Sequence, residues 1–163
     1  MKYKILVATF TAALGLQYVF ASDFGEQACA ALKSAKIYDT KTSEAIWNQS
    51  GEISADRMSA LTGGAKKTLK AEPHCIVRGE IASRTGSDGK HYGIKFELRL
   101  PGAWNGKLLF QGGGGLDGFV APALGAAPIR TSSATPALMR GYAVVTTDSG
   151  HPTPTPEFGL EQQ

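Results

Sequence analysis

Four consecutive glycines, Gly112 to Gly115, follow the apolar run Lys107-Leu108-Leu109-Phe110-Gln111 and are followed by Leu116-Asp117-Gly118. A segment without Cβ atoms can take positive φ and lets another molecule approach its N–H groups closely, so it suits an anion. Three chemistries compete for it: a phosphate cradle, an oxyanion hole, or no chemistry beyond a bare turn. A phosphate loop needs Gly-Lys followed by Ser or Thr, and that is absent. Gly113, Gly115 and Gly118 do fit G-x-G-x-x-G, yet Pro122 lies close behind and the acidic residue required about 20 positions further on is missing. An oxyanion hole needs only N–H groups aimed at developing negative charge, which such a loop placed after a buried strand can supply.

A second group of polar residues, Asp148-Ser149-Gly150-His151, comes later. No G-x-S-x-G elbow occurs anywhere in the chain, so Ser149 is not read as a nucleophile nor His151 as a base. Asp148 reads better as a polar cap at a strand end than as a catalytic acid, and His151 likewise. Trp104 and Asn105 read as a turn packed on the core. The only cysteines are Cys29 and Cys75, and the three histidines, His74, His91 and His151, show no Cys/His spacing for zinc, so no metal site is expected.

These groups sit in a chain of 163 residues, enough for one modest domain. Hydrophobic residues make up 42% and charged residues 19%, a composition able to bury a core. Lys2 and Lys4 precede an uncharged apolar run from Ile5 to Leu16, then Val19-Phe20-Ala21, which reads as a secretory leader over residues 1–21 cleaved before Ser22. That places the remainder, 22–163, in a secreted or periplasmic setting, with no membrane association after cleavage, and lets Cys29 and Cys75 bond. The leader carries two of the 17 basic residues and none of the 14 acids, so 15 basic against 14 acidic remain, with no Lys/Arg block for nucleic acid.

The elements that must position the glycines follow from periodicity. Phe24 to Ala35 predicts a short helix carrying Cys29, and Tyr38 to Lys70 predicts loops or an extended edge segment. Cys75 to Ile81 predicts a strand, Thr85 to Lys90 a turn, and Ile94, Phe96, Leu98 and Leu100, alternating with Lys95, Glu97 and Arg99, a strand with one charged, half-exposed face. Pro101 ends it, and Trp104-Asn105-Gly106 turns into the run 107–111, whose lack of alternation predicts burial on both faces. Pro136 to Arg140 predicts a short helix stopped by Gly141, and Tyr142 to Thr147 a buried strand, completing a crossover. A strand left without its neighbour should expose ladder groups, making the isolated chain poorly stable or aggregation-prone.

Phe96-Glu97-Leu98-Arg99-Leu100-Pro101, Trp104-Asn105-Gly106-Lys107, Gly112 to Gly115, and Gly141-Tyr142-Ala143-Val144 leading into Thr147-Asp148-Ser149-Gly150-His151 together resemble the tannase and feruloyl esterase family. The resemblance implies the N-terminal part of an α/β-hydrolase fold: a mixed sheet from the first strands through the oxyanion loop and the following strand, incomplete. It implies a secreted serine hydrolase that cleaves aromatic, phenolic-acid esters by Ser-His-Asp acyl transfer. Gly112, Gly113, Gly114 and Gly115 then correspond to the oxyanion segment, and Cys29 with Cys75 to an N-terminal disulfide. The family's nucleophile lies in a Cys-Ser-x-Gly-Gly context that this chain does not contain, and the acid, the histidine and the calcium-bearing lid are absent with it. Alone the chain should be inactive and hold no cofactor. From another class stands a secreted binding module using the glycine loop with Trp47 or Trp104 to hold an aromatic or sugar ligand.

Overall fold

The structure, a computed structural model, describes residues 24–53, 69–113, 118–126 and 134–151. The leader, Gly114, Gly115 and the tail after His151 lie outside them. Helix α1 (Glu26–Ala31) and a 3-10 turn (Leu32–Ser34) open the fold. Strand β1 (Thr40–Asn48) follows, then β2 (Glu52–Ile53) and β3 (Leu69–Lys70), which pair with each other alone. The long strands β4 (His74–Thr85) and β5 (His91–Pro101), the short β6 (Leu108–Phe110) and β7 (Ala143–Thr147) join β1 in a five-stranded sheet of order β1-β4-β5-β7-β6.

β4 and β5 form an antiparallel hairpin closed at Gly86, whose N–H donates to the Lys90 carbonyl at 2.8 Å. β7 runs antiparallel to β5 and parallel to β6. The strand, glycine segment, turn, strand crossover is therefore present as the sequence indicates, although the short helix is a 3-10 turn, Ala137–Arg140. Gly141 ends that turn at φ 80, in the left-handed region a glycine enters without steric cost.

Each sheet face carries its own core. On one, Cys29, Cys75, Val77 and Phe96 are buried with Trp47, Leu98, Leu100 and Val145 around them; on the other, Val144 packs with Ala123, Ala137, Leu138 and Ile53. Cys29 and Cys75 are bonded, tying α1 to β4 across a separation of 46 residues.

Of the two readings open for the stretch 38–70, residues 40–48 take the extended one, a nine-residue edge strand, because pairing with β4 satisfies a backbone whose side chains show no clean period. Two sequence expectations are corrected. The charged face of β5 is solvent-facing only at Lys95: Glu97 and Arg99 are 5% and 6% exposed. Segment 118–126 and the 3-10 turn lie over them, and opposite charges two residues apart neutralise each other there. The run 107–111 is not buried on both faces, since β6 is an edge strand and Leu108 and Phe110 are more than 60% exposed; only Leu109 turns toward a core.

Candidate active-site loop

β6 delivers the glycines to the carboxyl ends of the parallel pair β6 and β7, the place where open α/β sheets bind ligands. The ladder extends one residue past β6: the Gln111 N–H donates to the Val145 carbonyl at 2.8 Å. Gly112 and Gly113 then leave the sheet exposed, and a Cβ at Gly112 would meet nothing within 4 Å. Among the described residues neither glycine N–H has a backbone partner. Of the four glycines named at the sequence level, Gly112 and Gly113 lie among the described residues, while Gly114 and Gly115 fall outside them.

Segment 118–126 returns across the sheet under a dense set of polar contacts. The Thr146 hydroxyl donates to the Ala121 carbonyl at 2.5 Å, the Ala123 N–H to Glu97 Oε1 at 3.1 Å, and the Gly125 N–H to Gln111 Oε1 at 2.6 Å. Gly125 has φ +66, and a Cβ there would lie 2.5 Å from the Ala137 Cβ, so the approach of the two segments requires glycine. An open cleft of about 450 Å³ lies beside this junction, lined by Leu109, Gln111, Gly125 and Arg140 among others.

Glu97 is the electrostatic centre of the covered face. Oε1 accepts from Arg99 Nε at 2.8 Å and Oε2 from Arg78 Nε at 2.9 Å; Arg78 also reaches Glu44 at 2.7 Å. Burial pushes the Glu97 carboxyl up, but the Arg99 charge, with hydrogen bonds from Arg99, Ala123 and Arg78, outweighs it and holds the group below the usual carboxylate range. The sequence reading missed this network because it assigned the charges to solvent. The sign alternation of Glu97 and Arg99, two apart on one strand face, was the available signal.

Asp148 and His151 are both buried and follow β7 at the same end of the sheet as Gly112. Asp148 Oδ1 accepts from the Lys95 and Gly150 N–H groups, each at 3.0 Å, so it closes the end of the β5–β7 ladder and the turn after it, as the cap reading expects. Ser149 is exposed at φ 58. Trp104 is surface-exposed, with Nε1 donating to the Lys107 carbonyl at 2.8 Å, and Asn105 bonds the Arg140 carbonyl at 2.9 Å, so both belong to a turn. Trp47 lies on β1, at the opposite edge of the sheet from β6. Neither tryptophan lines the cleft beside Gln111 and Gly125. His74 is fully buried at the start of β4, its Nδ1 on the Glu72 carbonyl at 2.8 Å, and the described residues contain no group of three His, Cys, Asp or Glu able to hold a metal.

The family model for tannase and feruloyl esterase matches residues 75–163, which take in β4, the glycines and the Asp148 turn. The chain belongs to the tannase and feruloyl esterase family. It is 35% identical over 148 residues to the mono(2-hydroxyethyl) terephthalate hydrolase of Piscinibacter sakaiensis, covering 83% of this chain and 23% of that protein. It is 32% identical over 96 residues to an uncharacterized esterase of Agrobacterium fabrum, covering 59% of this chain and 17% of that protein. Among solved structures, feruloyl esterase B from Aspergillus oryzae superposes with a TM-score of 0.56 at 22% identity, over 83% of this chain and 24% of that one. The chain thus spans about a quarter or less of the length of these relatives. Its mixed sheet is the N-terminal part of the α/β-hydrolase fold of this family, up to the strand that follows the glycine segment.

Proposed function

We propose that this chain is the N-terminal portion of a secreted ester hydrolase acting on esters of aromatic carboxylic acids, and that it supplies the oxyanion-stabilising loop of a serine acyl-transfer mechanism. The observation that carries the reading is the pair Gly112 and Gly113, exposed at the carboxyl end of β6 with N–H groups that no backbone acceptor among the described residues takes up. Donors held in place before charge develops stabilise a tetrahedral intermediate without reorganising during the reaction. Terephthalate and ferulate esters, named for two of the relatives, share one feature: an aromatic acyl group on an ester carbonyl. That shared chemistry supports the substrate class.

In this mechanism a serine hydroxyl outside the chain, relieved of its proton by a histidine that an acid orients, attacks the ester carbonyl. The carbonyl oxygen gains charge against the glycine amides, the alcohol leaves with a proton from the histidine, and water repeats the cycle to release the acid. Asp148, Ser149 and His151 take no part in proton transfer.

Purified chain mixed with a chromogenic phenolic ester should show no turnover; turnover that co-purifies with the chain, whether or not it survives Ser149→Ala, overturns the division of labour. The reading frame downstream of Gln163 should contain Cys-Ser-x-Gly-Gly, and an ordinary stop with no hydrolase remnant counts against the proposal. In the product of that frame, Gly112→Pro removes one N–H and should lower kcat by about 10²–10³.

A further inference from the structure

The segment that returns from the glycines is tied down at every second residue. The Ala121 carbonyl, the Ala123 N–H and the Gly125 N–H meet, in order, the Thr146 hydroxyl from β7, the Glu97 carboxylate from β5 and the Gln111 amide just beyond β6. The segment is bent rather than extended, with the Leu124 N–H on the Pro122 carbonyl at 2.8 Å and Gly125 at φ +66, and it takes one side-chain contact from each of three neighbouring strands or their ends. Thr146 and Glu97 are buried, at 2% and 5% exposure.

Apolar packing alone is a poor guide for this segment. Ala121-Pro122-Ala123-Leu124-Gly125 offers one large apolar side chain, so many paths over the sheet would bury similar area. Directional hydrogen bonds discriminate between those paths, and in a covered site a missing partner is costly. Gln111 has a further role, because its own N–H is held by Val145 while its side chain holds Gly125. The residue from which Gly112 departs is therefore fixed at its main chain and also holds the returning segment.

We propose that Gln111, Glu97 and Thr146 are positioning residues that hold segment 121–125, and through Gln111 the exit of Gly112 and Gly113, in a single geometry. Their value to catalysis rests on the oxyanion reading above; the positioning itself does not. Oxyanion donors must be set within a fraction of an ångström, and a loop of glycines cannot hold itself there, since it has the most backbone freedom to lose.

Amide hydrogen exchange of the full chain tests this. In the unaltered chain the Ala123 and Gly125 amides should be protected; exchange as fast as an open loop overturns the proposal without any variant. Gln111→Ala and Thr146→Val should speed exchange at residues 121–125 about five- to tenfold and shift the Gly112 and Gly113 amide resonances, while β4 and β5 keep their protection. Gln111→Glu and Thr146→Ser, which keep an acceptor and a donor, should restore the pattern. Acceleration spread evenly over β4 and β5, or none at 121–125, overturns the proposal. Failure of the oxyanion reading would leave this exchange pattern intact and appear only as undiminished activity in Gly112→Pro.

Discussion

Asp148 and Lys95 bond each other twice across the end of the β5–β7 pair: the Asp148 N–H donates to the Lys95 carbonyl at 3.1 Å, and the Lys95 N–H donates to Asp148 Oδ1 at 3.0 Å. A carboxylate thus takes the place of a backbone acceptor where the strand turns away toward Ser149. Asp148→Ala would strand the Lys95 and Gly150 donors and should cost about 1–3 kcal/mol in urea unfolding. Asp148→Asn keeps an acceptor oxygen and should recover most of that. Equal losses in the two variants would point to a requirement for charge rather than for capping.

The Cys29–Cys75 bond closes a loop across 46 residues. In the chain-entropy account such a closure stabilises by about 4 kcal/mol, as an upper figure. Cys29→Ser with Cys75→Ser should therefore lower the unfolding free energy by up to that amount. An unchanged midpoint under reducing conditions would show that α1 docks without the bond.

Acid should destabilise the fold through two groups on the covered face. Glu97 titrates below the usual carboxylate range in the folded state, so its contribution is present above the unfolded value and is lost as pH falls through the folded one. His74 is lowered by burial, which outweighs the raising effect of the hydrogen bond to the Glu72 carbonyl; the Arg99 charge lowers it further and Glu97 raises it. It stays neutral while the unfolded chain takes up a proton, so stability falls as pH drops below about 6.5. Denaturation midpoints should decline in two stages, first as pH drops below about 6.5 and again at carboxylate pH, with Glu97→Gln reducing the second, to which Glu80 and Asp88, also held low, add. A flat profile from pH 7 to 5 would contradict the assignment of His74.

Leu108 and Phe110 are exposed on β6, whose outer edge no other described strand pairs. Edges of this kind recruit other strands. Phe110→Lys should raise the soluble fraction of the isolated chain and slow its light-scattering growth at 37 °C, while leaving the exchange protection of β4 and β5 unchanged. Growth unaffected by the charge would move the aggregating surface elsewhere.

Much of the frame was legible from local pattern. The alternation through Ile94, Phe96, Leu98 and Leu100, the turn residues of 85–90, and Gly141 at the end of a short helical turn each specify structure within a few neighbours, and the structure contains all three. The disulfide partners were legible because only two cysteines exist. β1 was blurred because Thr, Ser, Glu and Lys at 40–44 give no hydrophobic period; its strand depends on β4 as a template. The grip on segment 121–125 was invisible, because nothing in Ala-Pro-Ala-Leu-Gly announces partners 26 residues before it and 25 after.

From the sequence alone came four strands in their succession along the chain, the glycine segment between an apolar run and a crossover, and the family they jointly resemble, since these depend on spacing along the chain. Tertiary structure decided which charged residues are covered, which apolar strand stands at an edge, and what holds the chain leaving the glycines. Those outcomes depend on which remote segments come to lie on each face of the sheet, and burial of Glu97 and Arg99 is set by what covers them rather than by their own polarity.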